Sequence, residues 1–126
     1  MGRLATVIAI LALVAPPALA KIDHHAEPGG EQGIASTYSM KLVGHATASG
    51  ALLDRDGMTA AHKKLPFGTK LVVTNKKNGR KVVVTVNDRG PYKKGRIIDL
   101  SPAAASQLGM RHAGLAPVVI RIASEE

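Results

Sequence analysis

Asp88 lies in the run Asn87-Asp88-Arg89-Gly90-Pro91, directly after the β-branched stretch that ends at Val86. A carboxylate there is well placed to act on a ligand. Gly90 and Pro91 force a tight turn, which holds the carboxylate on a rigid strand end. The same pattern admits a second reading, in which Asp88 caps the turn or pairs with Arg89 or Arg96. His62 closes Thr59-Ala60-Ala61-His62 and is of a type that shuttles protons near neutral pH. From the residues alone, a half-buried histidine bonded to backbone is the simpler account. Asp99, between Ile98 and Leu100, reads as a carboxylate at a helix N-terminus or paired with arginine. Asp54 and Asp56 flank Arg55 and read as turn formers. His24-His25 falls in a polar segment and reads as solvated, because a metal site needs three or four converging ligands.

The elements that carry these residues are mostly strands. Gly33-Ile-Ala-Ser-Thr-Tyr38 reads as a first strand. Residues 39–58 hold Gly44, Gly50 and Gly57 with little periodicity, which predicts a long loop. Met58 to Ala61 reads as a short strand. Lys70-Leu-Val-Val-Thr-Asn75 and Lys81-Val-Val-Val-Thr-Val86 predict a hairpin, with Asn78-Gly79 supplying positive φ at its turn. Both runs are apolar on both faces, which predicts a closed barrel or a covered sheet rather than a half-wet one. Arg96-Ile-Ile-Asp-Leu100 is a further strand. Ser101-Pro102 reads as an N-cap followed by proline at the first helical position. Residues 103–108 then form a short helix that Gly109 ends. Pro117-Val-Val-Ile-Arg-Ile122 is the last strand. Five or six short strands and one helix predict a mainly β fold, a small barrel whose closure removes exposed edges.

Composition limits the partners. The chain has 126 residues, a formal net charge of +8 and no cysteine. Met1-Gly2-Arg3, an apolar run over 4–15, Pro16-Pro17 and Ala18-Leu19-Ala20 match the three parts of a secretory signal peptide. The apolar run is shorter than the roughly 20 residues that a membrane span needs. Residues 1–20 are therefore expected to be cleaved on export to the periplasm or beyond. Residues 21–32 form a flexible lead-in, 33–122 a single domain and 123–126 a tail. Removal of Arg3 leaves a charge of about +7. Without cysteine there is no disulfide, no thiol chemistry and no lipid attachment after the signal, so no stable membrane anchor is expected. Eleven basic residues lie between Lys63 and Arg96, with Asp88 and Asp99 the only acids there and in the strand that follows. Such a surface is either a solvated face or a grip for an anionic polymer. In an exported protein that polymer is wall or membrane surface. Tyr38, Phe67 and Tyr92 are the only aromatic residues, which argues against a nucleic-acid reader that stacks bases.

In combination, Ala35-Ser-Thr-Tyr38, Thr47-Ala-Ser-Gly50, Thr59-Ala-Ala-His62, Leu65-Pro-Phe-Gly-Thr69, Val86-Asn-Asp-Arg-Gly-Pro91 and Gly95-Arg-Ile-Ile-Asp-Leu-Ser101 closely resemble the RlpA-like (rare lipoprotein A) lytic transglycosylases. The likeness runs from about Gly33 to Ile122. It implies a six-stranded double-psi β-barrel with one or two short helices, of the kind also found in barwin and expansins. It implies endolytic, non-hydrolytic cleavage between N-acetylmuramic acid and N-acetylglucosamine in naked peptidoglycan glycan strands, leaving 1,6-anhydromuramyl ends. It implies no metal or organic cofactor, and the partner expected of a monomer of this kind is the glycan strand. The family's catalytic Asp falls on Asp88 and its motif His on His62. Tyr38, Thr47, Lys63, Asn87, Arg89 and Arg96 are the implied substrate contacts. A single carboxyl group can serve both proton transfers in turn if it starts protonated. The family's catalytic Glu falls on Ala51, so the resemblance also admits a non-catalytic, expansin-like wall-binding module.

Overall fold

A computed structural model describes residues 30–123. The expected signal-peptide segment, the two adjacent histidines, most of the expected lead-in and the last three residues lie outside the described part. Six strands close into a barrel in the order β1-β5-β2-β4-β3-β6. They are β1 (Glu31–Thr37), β2 (Thr59–Ala61), β3 (Lys70–Asn75), β4 (Lys81–Asp88), β5 (Arg96–Leu100) and β6 (Leu115–Ile122). β1 with β5 and β2 with β4 are parallel pairs, and the other four neighbours are antiparallel.

Several boundaries differ from the sequence expectation; β4 runs on past Val86 to Asp88, which pairs with Ala61. β1 begins at Glu31, inside the expected lead-in, because Glu31 and Gln32 pair with Ile120 and Val119 of β6. The last strand begins at Leu115, two residues early, for the same reason: Leu115 pairs with Ser36.

The β3–β4 hairpin forms as its β-branched runs predict. Its five-residue loop closes through Gly79 N–H to Asn75 O (2.8 Å) and Asn75 N–H to Arg80 O (2.9 Å). Only Gly79 takes positive φ (76°), so Asn78 contributes otherwise. Its amide donates to Leu108 O (3.0 Å), as does that of the buried Asn75 (2.9 Å). The hairpin thereby caps the carbonyl end of helix α1 (Pro102–Gln107). The hairpin is also wetter than two apolar faces suggest. Val82, Val84 and Val86 point inward and are buried, while Val83 is 49% exposed. A closed barrel buries only its inner face, and the alternation of strand side chains sends the others outward.

Aliphatic side chains fill the interior. Leu71, Val73, Val84, Val86, Ile98, Leu100 and Val118 are all essentially solvent-free, and Ala104, Leu108 and Met110 close one side. No aromatic residue enters this core. α1 starts where the sequence places it: Ser101 Oγ accepts from Ala104 N (3.3 Å), and Pro102 occupies the first turn. The same hydroxyl donates to Gly57 O (2.7 Å), which ties the long loop to the helix. That loop, over 39–58, contains one 3-10 turn (Met40–Leu42) and a small antiparallel hairpin marked by the Ala46–Leu52 bridge.

Candidate active site

Asp88 is the last residue of β4, where it pairs with Ala61 of β2. Gly90 follows with φ of 122°, a conformation open to glycine and poorly open to residues with a side chain. The Gly90–Pro91 peptide is cis. The chain therefore leaves the barrel sharply and the half-buried carboxylate stays at its rim.

Three donors converge on this carboxylate. Ala48 N–H (2.8 Å) and Arg89 N–H (2.9 Å) donate to Oδ1, and the Tyr38 hydroxyl donates to Oδ2. Every contact is one that an ionised carboxylate can accept. Burial, then the hydrogen bond and charge of Asp88, and last the charge of Asp99, push the Tyr38 phenol far above its ordinary value. Tyr38 itself is set by its position one residue past β1, where its N–H bonds Leu100 O (3.0 Å).

The arginines do not pair with Asp88. Arg89 turns away: its Nη1 donates to His62 O (3.2 Å) and Asp88 O (3.4 Å), and its guanidinium carbon lies 4.2 Å from the Phe67 ring centroid. Arg96 begins β5 beside Ile34, and among the described residues no ion pair joins it to Asp88. Asp99 is neither a helix cap nor an arginine partner. It accepts from Ser36 Oγ across the parallel β1–β5 pair.

His62 lies beside Asp88 through backbone, its N–H donating to Asp88 O (3.2 Å). Its ring is buried, at 4% exposure, and both nitrogens are engaged. Nδ1 accepts from Lys64 N and Leu65 N (3.2 Å each), so the proton sits on Nε2, which contacts Glu31 Oε1 at 3.0 Å. Sequence reasoning missed Glu31, because only the closed barrel brings the start of β1 to the end of β2. Thr47 is also inward. It is 8% exposed, and its hydroxyl donates to Ala51 O (2.6 Å) inside the small hairpin. Its hydroxyl proton is spent on closing the loop. Lys63 is exposed at the rim and Asn87 is half-buried, its carbonyl accepting from Ser49 N (3.2 Å).

The small hairpin is thus seated on Asp88 and Asn87 by the backbone N–H groups of Ala48 and Ser49 respectively. Ala51 sits on that hairpin, exposed, with Gly50 (φ 97°) making the turn before it. Asp54 and Asp56 act as turn formers. Asp54 Oδ1 accepts from Asp56 N (3.0 Å), and Asp56 lies 3.6 Å from Arg55. Neither is hydrogen-bonded to Asp88. No group of three or more His, Asp or Glu side chains converges among the described residues.

Fold and site define a class: a double-psi β-barrel carrying one well-held carboxylate at its rim. Residues 30–120 match the family described as lytic transglycolase, and the chain belongs to that family. It is 54% identical over 93 residues to a probable endolytic peptidoglycan transglycosylase RlpA of Nostoc sp., covering 72% of this chain and 25% of that protein. It is 52% identical over 92 residues to the endolytic peptidoglycan transglycosylase RlpA of Vibrio cholerae, covering 73% and 35%. The chain thus spans a quarter to about a third of these relatives. Among solved structures, a Clavibacter michiganensis expansin in complex with cellohexaose is similar at TM-score 0.59 and 27% identity, over 75% of this chain and 50% of that one. A Streptomyces papain inhibitor shares the fold at TM-score 0.58.

Proposed function

We propose that this domain is an endolytic lytic transglycosylase acting on naked peptidoglycan glycan strands. The observation that carries the reading is the Asp88 carboxylate, fixed at the barrel rim by three donors in a member of this family. Relatives about half identical over the domain are named for this activity, which supports the choice of substrate.

The reaction is an internal transfer, so its protons balance on one carboxyl group. Asp88 accepts the proton of the muramic 6-hydroxyl as that oxygen attacks C1. The C1–O bond to the next N-acetylglucosamine breaks, and the proton passes to the leaving oxygen. The anhydro ring and a free 4-hydroxyl result, and Asp88 returns to its starting form. Tyr38, Ala48 N–H and Arg89 N–H hold the carboxylate throughout. A fixed orientation of this kind lowers the cost of reaching the transition state.

A second reading rests on Ala51. Where relatives of this type carry a second carboxylate, this chain presents a methyl group on the hairpin that covers Asp88. General acid–base assistance is worth about 10²- to 10⁴-fold, so its loss favours a module that grips glycan without cutting. The two readings separate by incubating the mature protein with naked strands and analysing products by mass spectrometry. Anhydromuramyl ends support the enzyme. Intact strands at high protein concentration, with salt-sensitive retention on wall material, support the binding module. We further propose that the protein is exported after cleavage following Ala20 and acts as a monomer.

A further inference from the structure

All three aromatic residues of the chain gather on the Asp88 turn, although none is needed by the aliphatic core. Tyr38 holds the carboxylate. Phe67 is 43% exposed and packs under the Arg89 guanidinium. Tyr92 is 76% exposed, two residues past Gly90, whose Cα faces the Tyr92 ring closely enough that an added Cβ would meet it at 3.7 Å. The two exposed rings therefore lean on consecutive residues, Arg89 and Gly90.

The backbone that carries Phe67 is held on both sides of it. Lys64 N and Leu65 N bond the buried His62 ring, Gly68 N bonds Val86 O (2.8 Å), and Thr69 bonds Pro66 O through its N–H (3.1 Å) and its hydroxyl (2.7 Å). Such a surface loses little freedom when it binds. Each ring also has an exposed pair of lysines close in sequence: Lys63 and Lys64 before Phe67, Lys93 and Lys94 after Tyr92.

We propose that Phe67 and Tyr92 are sugar-stacking platforms beside the Asp88 turn, and that the adjoining lysines read the free lactyl carboxylates of naked strands. The inference rests on the glycan-strand reading above and adds the residues that select the substrate. The axial C–H face of a pyranose is apolar and slightly positive, and it fits the negative face of an aromatic ring. A lactyl group freed of its peptide is anionic, and one in amide linkage to a peptide is not. Lysines beside the rings thus favour a strand with free lactyl carboxylates over an uncharged glycan, while the rings bind any sugar of matching shape.

The test uses two probes, naked glycan strand fragments and uncharged chitohexaose, titrated against the folded protein by NMR. Phe67→Leu and Tyr92→Leu are expected to weaken both probes about 5- to 10-fold each, with Phe67→Trp restoring the affinity. The double variant Lys93→Gln/Lys94→Gln is expected to weaken naked strands several-fold and leave chitohexaose unchanged. The salt dependence for naked strands should flatten at the same time. Unchanged affinity in both leucine variants would overturn the platform, as would a parent protein that binds neither probe. Equal loss of both probes in the lysine variant would overturn the charge reading. A parent that binds both probes and forms no anhydro ends would sink the transglycosylase reading alone. A parent that cuts, with leucine variants that cut at unchanged KM, would sink the platform alone.

Discussion

Replacing Tyr38 by phenylalanine removes one hydrogen bond and leaves the half-buried ring in place. Asp88 keeps Ala48 N–H (2.8 Å) and Arg89 N–H (2.9 Å) on Oδ1, and only Oδ2 loses its protein donor. A hydrogen bond to a charged group is worth about 1.5–3 kcal/mol. Asp88 is only half-buried, so water replaces part of the loss, and the expected cost is about 1 kcal/mol. With a urea slope near 1–1.5 kcal/mol/M for a domain of this size, the midpoint falls by roughly 0.7–1 M. The pH dependence is a second signature. The folded-state phenol is raised above its ordinary value of 10.0 by burial and by Asp88. Its contribution is therefore fully present below about pH 10 and is lost as pH rises above that value. The gap between parent and Tyr38→Phe should be constant from pH 7 to 9 and shrink above pH 10. Urea titrations at both ends of that range measure it, on a Tyr92→Phe background that leaves Tyr38 as the one ionising phenol. A cost below about 0.3 kcal/mol at pH 7, or a gap that does not change up to pH 11, would refute the assignment.

Asp88→Asn keeps the shape of the site. The amide oxygen can accept from Ala48 and Arg89, and the amide N–H can donate to a rotated Tyr38 hydroxyl. Stability should change by less than about 1 kcal/mol, while anhydromuramyl product falls by about 10²- to 10⁴-fold; a variant that cuts like the parent would remove Asp88 from the mechanism. Ala51→Glu restores a carboxylate on an exposed position whose backbone bonds are unaffected, and initial rates on naked strands should rise by up to about 10²-fold or more. No gain would show that position 51 is not the absent half of an acid–base pair. N-terminal sequencing of protein from the periplasm or medium should read from Lys21, and an intact Met1 would refute cleaved export.

Local chemistry is what the sequence displays most clearly. β-branched runs around Asn78-Gly79 mark the hairpin, and Ser101-Pro102 marks the helix start. Asp88 is visible as a carboxylate ending an apolar strand. Pairings between distant strands are not visible, because no spacing says which strand will lie beside which. Glu31 and Gln32 look like linker until β6 supplies their partners. Ser36 meets Asp99, Tyr38 meets Asp88 and Glu31 meets His62 only once the barrel closes. Arg89 looks like the natural partner of its neighbour Asp88. Its outward-turned side chain instead finds the Phe67 ring and the His62 carbonyl.

The loop around Ala51 shows why a missing side chain need not dismantle a site. The hairpin over 46–52 is held to the barrel by Ala48 N–H on Asp88 Oδ1 and Ser49 N–H on Asn87 O, and internally by Thr47. None of these contacts uses the side chain at position 51. The carboxylate at Asp88 is therefore held in the same way whether position 51 carries Ala or Glu. On the proposed function, catalytic power and glycan grip are separable, because the donors that orient Asp88 come from backbone and Tyr38. A change at exposed position 51 is then expected to shift the balance between cutting and binding without altering the fold.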